Sequence, residues 1–296
     1  MANLRDVRLR MRAITQTLQV TKAMNLISTA KLRKGRRLLE DTEPYFTRIQ
    51  KSMFDILSGA GTLGSEFIKS RDRDNNYHTA IVVITSDKGL AGGYNANVCR
   101  HAMELCEKVK NPILVLCGAI GQRYFTQTPY LILENFSFRS QMPTVDNAKQ
   151  IADYLISQFD WGMFNEVHVV YTHMYSSIKL LPTAQQILPL DLGKMQEDLS
   201  KAEGQKRVEL RFEFLPSPDE VFDALVPLYI RGIMYGSLVE AYVSEQSARM
   251  AAMDEASKSA EEMLATLQLN YNRARQAGIT QEMTEIVSGT NCIGRS

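Results

Sequence analysis

From residue 4 onward a regular line of apolar positions marks out one stripe. Leu4, Val7, Met11, Ile14 and Leu18 follow one another at spacings of three and four, the repeat that forms a coiled-coil seam. The same phase runs on through Thr21, Asn25, Ser28, Leu32, Gly35 and Leu39, so the seam persists while turning small and polar in its middle. This predicts a long N-terminal helix over 1–58, with Pro44 as its candidate kink, ended by Gly59, Gly61 and Gly64. Residues 62–78 are polar and read as a linker.

The period then changes. Residues 79–85 are β-branched and almost unbroken in apolar character, as in a strand buried on both faces. A glycine-rich turn at 89–93, a helix at about 95–109 and a second buried strand at 112–117 follow. Further on come a strand at 130–136, a helix at 145–159 and a strand at 167–172. Such alternation implies βαβ units on a mostly parallel sheet, a Rossmann-like α/β domain over 77–215. Within it 173–207 is looser, and 208–215 alternates like an edge strand.

A last helix is announced by Ser217-Pro218-Asp219-Glu220, which offers a serine cap, proline at the first helical position and glutamate three residues past the cap. Pro227 marks either a kink or the start of the long segment. Met253, Ala256, Ala260, Met263, Leu267, Ala274 and Ala277 carry a seam interrupted by Asn270, with helical pattern to about residue 289.

Two helices this long, flanking a complete domain, cannot bury their seams inside it and must bury them on each other. The segments 1–58 and 217–296 therefore form a long antiparallel two-helix coiled coil, with the α/β domain inserted between them. The implied register sets Met24 beside Met253 and residue 1 near Gln276, leaving the last ~20 residues to project as a single helix.

Charge sharpens this picture. The chain carries a formal net charge of +1, which favours neither nucleic acid nor an acidic substrate. Residues 1–40, however, hold ten Lys and Arg against only Asp6 and Glu40, grouped at 5–12 and 31–37 and none on the seam. No apolar run approaches the ~18 residues of a membrane span, and no secretory signal pattern opens the chain. Cys99, Cys106, Cys117 and Cys292 have neither CxxC nor metal-ligand spacing and read as ordinary thiols. His78, His101, His168 and His173 lack metal spacing as well. The turn from Ser86 to Asn95 sits where a phosphate site would be, but it is neither GxGxxG nor GxxxxGK[ST], so tight strand–helix packing explains it better. No cofactor, metal or catalytic constellation is expected. A slim, polar seam admits two readings, register specification or a thin shaft that must fit a hole.

Several segments resemble the γ subunit of F-type ATP synthases. They are Thr21-Lys22-Ala23-Met24, Ser244-Glu245-Gln246-Ser247-Ala248-Arg249-Met250, Tyr271-Asn272-Arg273-Ala274-Arg275-Gln276, residues 279–289 and the turn from Ser86 to Asn95. The likeness covers essentially the whole chain in order. It implies a rotor shaft, not itself an enzyme, standing in a ring of three α and three β subunits, with the ε subunit and a membrane c-subunit ring as further partners. It implies no nucleic acid, no direct membrane insertion and a peripheral place on the cytoplasmic face of a bacterial membrane. By the same resemblance, Lys22 and Met24 lie near the acidic lever loops of β, with Arg249 beside them. Arg275 and Gln276 engage a catalytic-subunit loop, Thr280, Glu282 and Glu285 share that contact zone, and the uncharged stretch 286–294 turns in an apolar sleeve. Ala91 and the terminal Arg295-Ser296 depart from the family pattern. With no cysteine pair between Cys117 and Cys292, the chloroplast-type thiol switch is absent. Two other classes stand against this reading: a nucleotide-binding Rossmann-type oxidoreductase with a coiled-coil oligomerisation arm, and a coiled-coil scaffold for nucleic acid.

Overall fold

The computed structural model describes residues 4–60, 64–68, 77–136, 142–176, 179–191, 193 and 215–293. The chain divides into two compact units, one of Met1–Thr29 with Arg249–Ser296 and one of Ala30–Ala248.

Two helices supply residues to both units. Helix α1 (Leu4–Ala60) runs uninterrupted through Pro44. The last helix, α5 (Pro218–Ile293), runs through Pro227, so neither proline ends a segment. At its start Ser217 Oγ accepts from the Glu220 amide at 3.3 Å, which answers one of the unpaired N–H groups of the first turn.

In the larger unit the elements are β1 (Thr79–Ile84), α2 (Tyr94–Cys106), β2 (Pro112–Cys117), α3 (Ala119–Phe125), β3 (Leu131–Phe136), α4 (Val145–Asp160), β4 (Glu166–Met174) and β5 (Leu180–Leu188). They build one sheet in the order β3-β2-β1-β4-β5. The first four strands in that order pair in parallel, and β5 runs antiparallel to β4. The unbroken apolar runs of β1 and β2 put them in the middle: β1 is buried throughout, and only Pro112 of β2 is half-buried. One face packs Ile81, Val83, Leu114, Leu116 and Val170 against Val98, Cys99, Ala102 and Phe125. From α4, Phe159 stacks on Phe67 at 6.1 Å between ring centroids.

Three local expectations change. The looser stretch 173–207 contains β5, hidden because Pro182 and the polar Thr183, Gln185 and Gln186 disguise a half-buried strand. Proline is tolerated there because only one side of β5 needs the β4 ladder. The expected linker is anchored wherever it is described. Gly64 N donates to Asp219 at 2.7 Å, Ser65 Oγ donates to Asp223 at 2.6 Å, and Leu190 N donates to the Phe67 carbonyl at 2.8 Å. Helix α3, of 7 residues, is too short to show a period. The strand expected at 208–215 lies outside the described residues except for Leu215.

Candidate coupling surface

Within the smaller unit three contacts fix how the two helices face each other. Ser257 Oγ donates to Thr21 Oγ1 at 2.8 Å, and both hydroxyls are buried. Asn25 Nδ2 donates to the Met250 carbonyl at 3.2 Å. Near the start of α1, Arg8 Nη2 donates to the Tyr271 hydroxyl at 2.7 Å, its guanidinium lying 5.6 Å from the ring centroid. This is the antiparallel register that sets Met24 beside Met253.

Every seam position expected on α1 from Leu4 to Leu39 is buried or half-buried. On α5 the phase differs by one residue at alternate positions. The line facing the partner helix runs through the buried Met253, Ser257 and Ala260 and the half-buried Leu264, Leu267, Tyr271, Ala274 and Gly278, whereas Ala256 is half-buried, Met263 is 56% exposed and Asn270 and Ala277 are exposed. Ser257 and Tyr271 take the seam because Thr21 and Arg8 await them across it. Asn270 therefore does not interrupt the seam.

The residues singled out for subunit contact are placed as follows. Lys22 pairs with Glu261 at 2.7 Å, both side chains being more than half exposed, so the pair is worth about 0–1 kcal/mol and exchanges readily for another carboxylate. Met24 is half-buried. Arg275, Gln276, Thr280, Glu282 and Glu285 are all exposed. Thr280 Oγ1 donates to the Gln276 carbonyl at 2.9 Å, and Glu285 accepts from Gln281 Nε2 at 3.0 Å. Residues 279–287 are exposed on every side; the tip side chains from 288 onward lie outside the description. Arg249 differs from the others: it is 7% exposed and engaged with a partner of its own chain, so it underlies a surface and does not present one.

Sequence reasoning missed the apolar residues off the seam. Leu26 is 72% exposed and Ile286 69%, and Val20, Ile27, Leu269 and Met283 also face outward. The signal was available, since α1 keeps polar residues on its seam while placing Val20, Leu26 and Ile27 outside it. Arg8, Met11, Arg12, Thr15, Gln16, Gln19 and Tyr271 line an open groove of about 450 Å³.

In the larger unit the crevice beyond the carboxyl ends of the parallel strands is where folds of this type hold a nucleotide. Here α5 fills it. Tyr94 Oη donates to the Ala241 carbonyl at 3.1 Å, Ser244 Oγ donates to the Thr172 carbonyl at 2.9 Å, and Glu240 meets His173 Nδ1 at 2.5 Å. The space left, lined by Ser86, Asp87, Gly118, Asn147, Tyr242 and Glu245, is about 80 Å³. Small-molecule pockets run to several hundred Å³, so the oxidoreductase reading has no room for its cofactor. The Ser86–Asn95 turn is tied to itself: the Ser86 amide donates to Asn95 Oδ1 at 2.9 Å, and Asn95 Nδ2 donates to Ser86 Oγ at 2.8 Å. Asp87 accepts from the Ala119 amide at 3.0 Å, at the start of α3. Among the described residues no group of His, Cys, Asp and Glu is placed to hold a metal, and no helix is long and apolar enough to cross a membrane. Burial pushes the thiols of Cys99 and Cys106 up to about 11 and, with Asp87 adding to it, that of Cys117 to about 12, so these three are unreactive.

A helix pair with an exposed apolar and basic outer face, and a sheet whose ligand crevice is closed by its own chain, define a subunit that acts by engaging other chains. Comparison with known proteins names the family. The model of the ATP synthase family matches residues 3–293. The ATP synthase gamma chain of Acetivibrio thermocellus is 40% identical over 294 residues, covering 99% of this chain and 100% of that one. The sodium ion specific gamma chain of Acetobacterium woodii is 35% identical over 303 residues, covering 98% and 99%. Among solved structures, a chain of the Euglena gracilis mitochondrial ATP synthase in rotational state 3 shares the fold with a TM-score of 0.67 at 16% identity, covering 98% of this chain and 94% of that one. The chain belongs to the ATP synthase gamma chain family. It is thus a stalk subunit of the synthase and not one of its catalytic subunits.

Proposed function

We propose that the chain is the central rotor shaft of an F-type ATP synthase, coupling ion-driven rotation of a membrane c-subunit ring to the cycling of catalytic β subunits. The observation that carries this is the helix pair itself: its contacts with itself are spent on a narrow polar seam, and its apolar and basic side chains face outward. An asymmetric rigid element turning inside a ring of three α and three β subunits presents a different face to each β in turn. The coupling free energy is the difference in contact between those faces.

In this reading the groove beside Arg8 and Arg12, together with Lys22, meets acidic loops of β. Met24 and the exposed apolar residues supply the contact that excludes water, while Arg8, Arg12 and Lys22 set orientation. Arg275 and Gln276 hydrogen-bond a catalytic-subunit loop, with Thr280, Glu282 and Glu285 in the same zone, while Arg249 supports the surface around Lys22 and Met24 from beneath. The segments 1–58 and 217–296 act as the shaft and residues 77–215 as its α/β domain, with the ε subunit and the c-ring as further partners of the chain. A peripheral place on the cytoplasmic face of a bacterial membrane follows, with no insertion of this chain.

Mixing the purified chain with α and β subunits tests this. One copy should enter each 3:3 ring and raise its ATP hydrolysis. A chain that stays outside the ring, or joins it without changing hydrolysis, contradicts the reading.

A further inference from the structure

Within the larger unit α1 and α5 meet through two glycines that lie on opposite helices. At Gly35 of α1 the space for a side chain is taken by α5: a Cβ there would lie 2.7 Å from Val243 Cγ2 and 3.2 Å from Tyr242 Cδ1. At Gly232 of α5 the space is taken by α1: a Cβ would lie 2.3 Å from Phe46 Cδ1 and 2.4 Å from its Cε1. The Phe46 ring is backed by Tyr235, 6.4 Å away between centroids. Each helix thus supplies one knob and one hole.

A seam of repeated leucines offers equivalent holes one turn apart, about 5.4 Å along the axis. This seam does not. A one-turn slide that moves Phe46 toward the start of α5 carries it from Gly232 onto Leu228. The opposite slide carries it onto Gly236, where a Cβ would meet nothing within 4 Å, so that direction stays open to Phe46. The same slide, however, lifts Val243 out of Gly35 and drives it against Leu39. One contact blocks one direction, and both are needed to block both.

We propose that Gly35 with Val243, and Gly232 with Phe46, form a reciprocal lock on the axial register of the helix pair, which makes these four positioning residues for torque transfer. The proposal rests on the rotor reading. Twisting two wound helices loads their seam in shear, and a seam that slips dissipates the twist instead of passing it on.

The test uses the full chain in the assembled complex. Cysteines at Leu32 and Gln246, buried positions three residues outward from Gly35 and from Val243, report the native register by disulfide yield. Val243→Ala opens the slide toward Gly236 and should lower both cross-link yield and ions pumped per ATP about threefold as the slipped register fills. Adding Gly236→Leu closes that seat and should restore both to near wild type, while Gly236→Leu alone changes neither. The lock is overturned if Val243→Ala matches wild type in both readouts. It is equally overturned if Gly236→Leu fails to repair the defect, since Val243 would then be ordinary packing. If the wild-type chain cross-links but drives no pumping, the rotor reading fails, and the cross-link arm still decides the lock.

Discussion

Gly118→Ala should destabilise the chain by about 3–4 kcal/mol, the cost of a strained backbone plus a backbone clash. Gly118 caps α3 with φ 102° and ψ 143°, a region that side chains rarely enter. A Cβ there would stand 2.3 Å from the Thr85 carbonyl oxygen, which belongs to the backbone and cannot swing aside. Thr85 itself is held, its hydroxyl donating to the Cys117 carbonyl at 3.0 Å and accepting from the Gly121 amide at 2.9 Å. Relief would therefore pull apart the ends of the two central strands. Urea denaturation of the purified chain measures this, and a loss below about 0.5 kcal/mol, the size of an ordinary surface change, would show that the turn yields.

Replacing Arg275 and Gln276 together by alanine should lower ATP-driven ion pumping by the complex about tenfold, a loss of about 1.4 kcal/mol that matches the net worth of one or two hydrogen bonds to a partner at about 0.5–1.5 kcal/mol each. Both side chains are exposed, and the local hydrogen bond from Thr280 goes to the backbone carbonyl of residue 276, which alanine keeps. Circular dichroism of the double variant should match wild type. A lost helix signal would make the pair structural, and unchanged pumping would remove it from the coupling surface.

What the sequence made legible follows from where each signal comes from. The α1 seam was readable because the pattern is local, and the antiparallel register followed from topology. On α5 two phases competed, Met263 against Leu264 and Asn270 against Tyr271, and only contacts with Thr21 and Arg8 decide between them. The strands β1 and β2 were plain because central parallel strands are apolar on both faces, while β5 was hidden by its proline and its polar, half-buried residues. On the candidate coupling surface, Arg275 and Glu282 are exposed, as polar residues on a single helix generally are. The burial of Arg249 could not be read, because it depends on what packs around it. The filled crevice likewise needed the fold, since no motif tells that α5 occupies it.

The most direct measurement is rotation. The α and β ring is fixed to a surface, Cys292 is replaced by serine, and a bead is attached through Trp161→Cys. Residue 161 is 77% exposed, and the thiols of Cys99, Cys106 and Cys117 are buried. With ATP the bead should turn in one direction, stepping once for each catalytic subunit passed, and stop when ATP is withdrawn. A bead that only fluctuates while the ring hydrolyses ATP would contradict the rotor account.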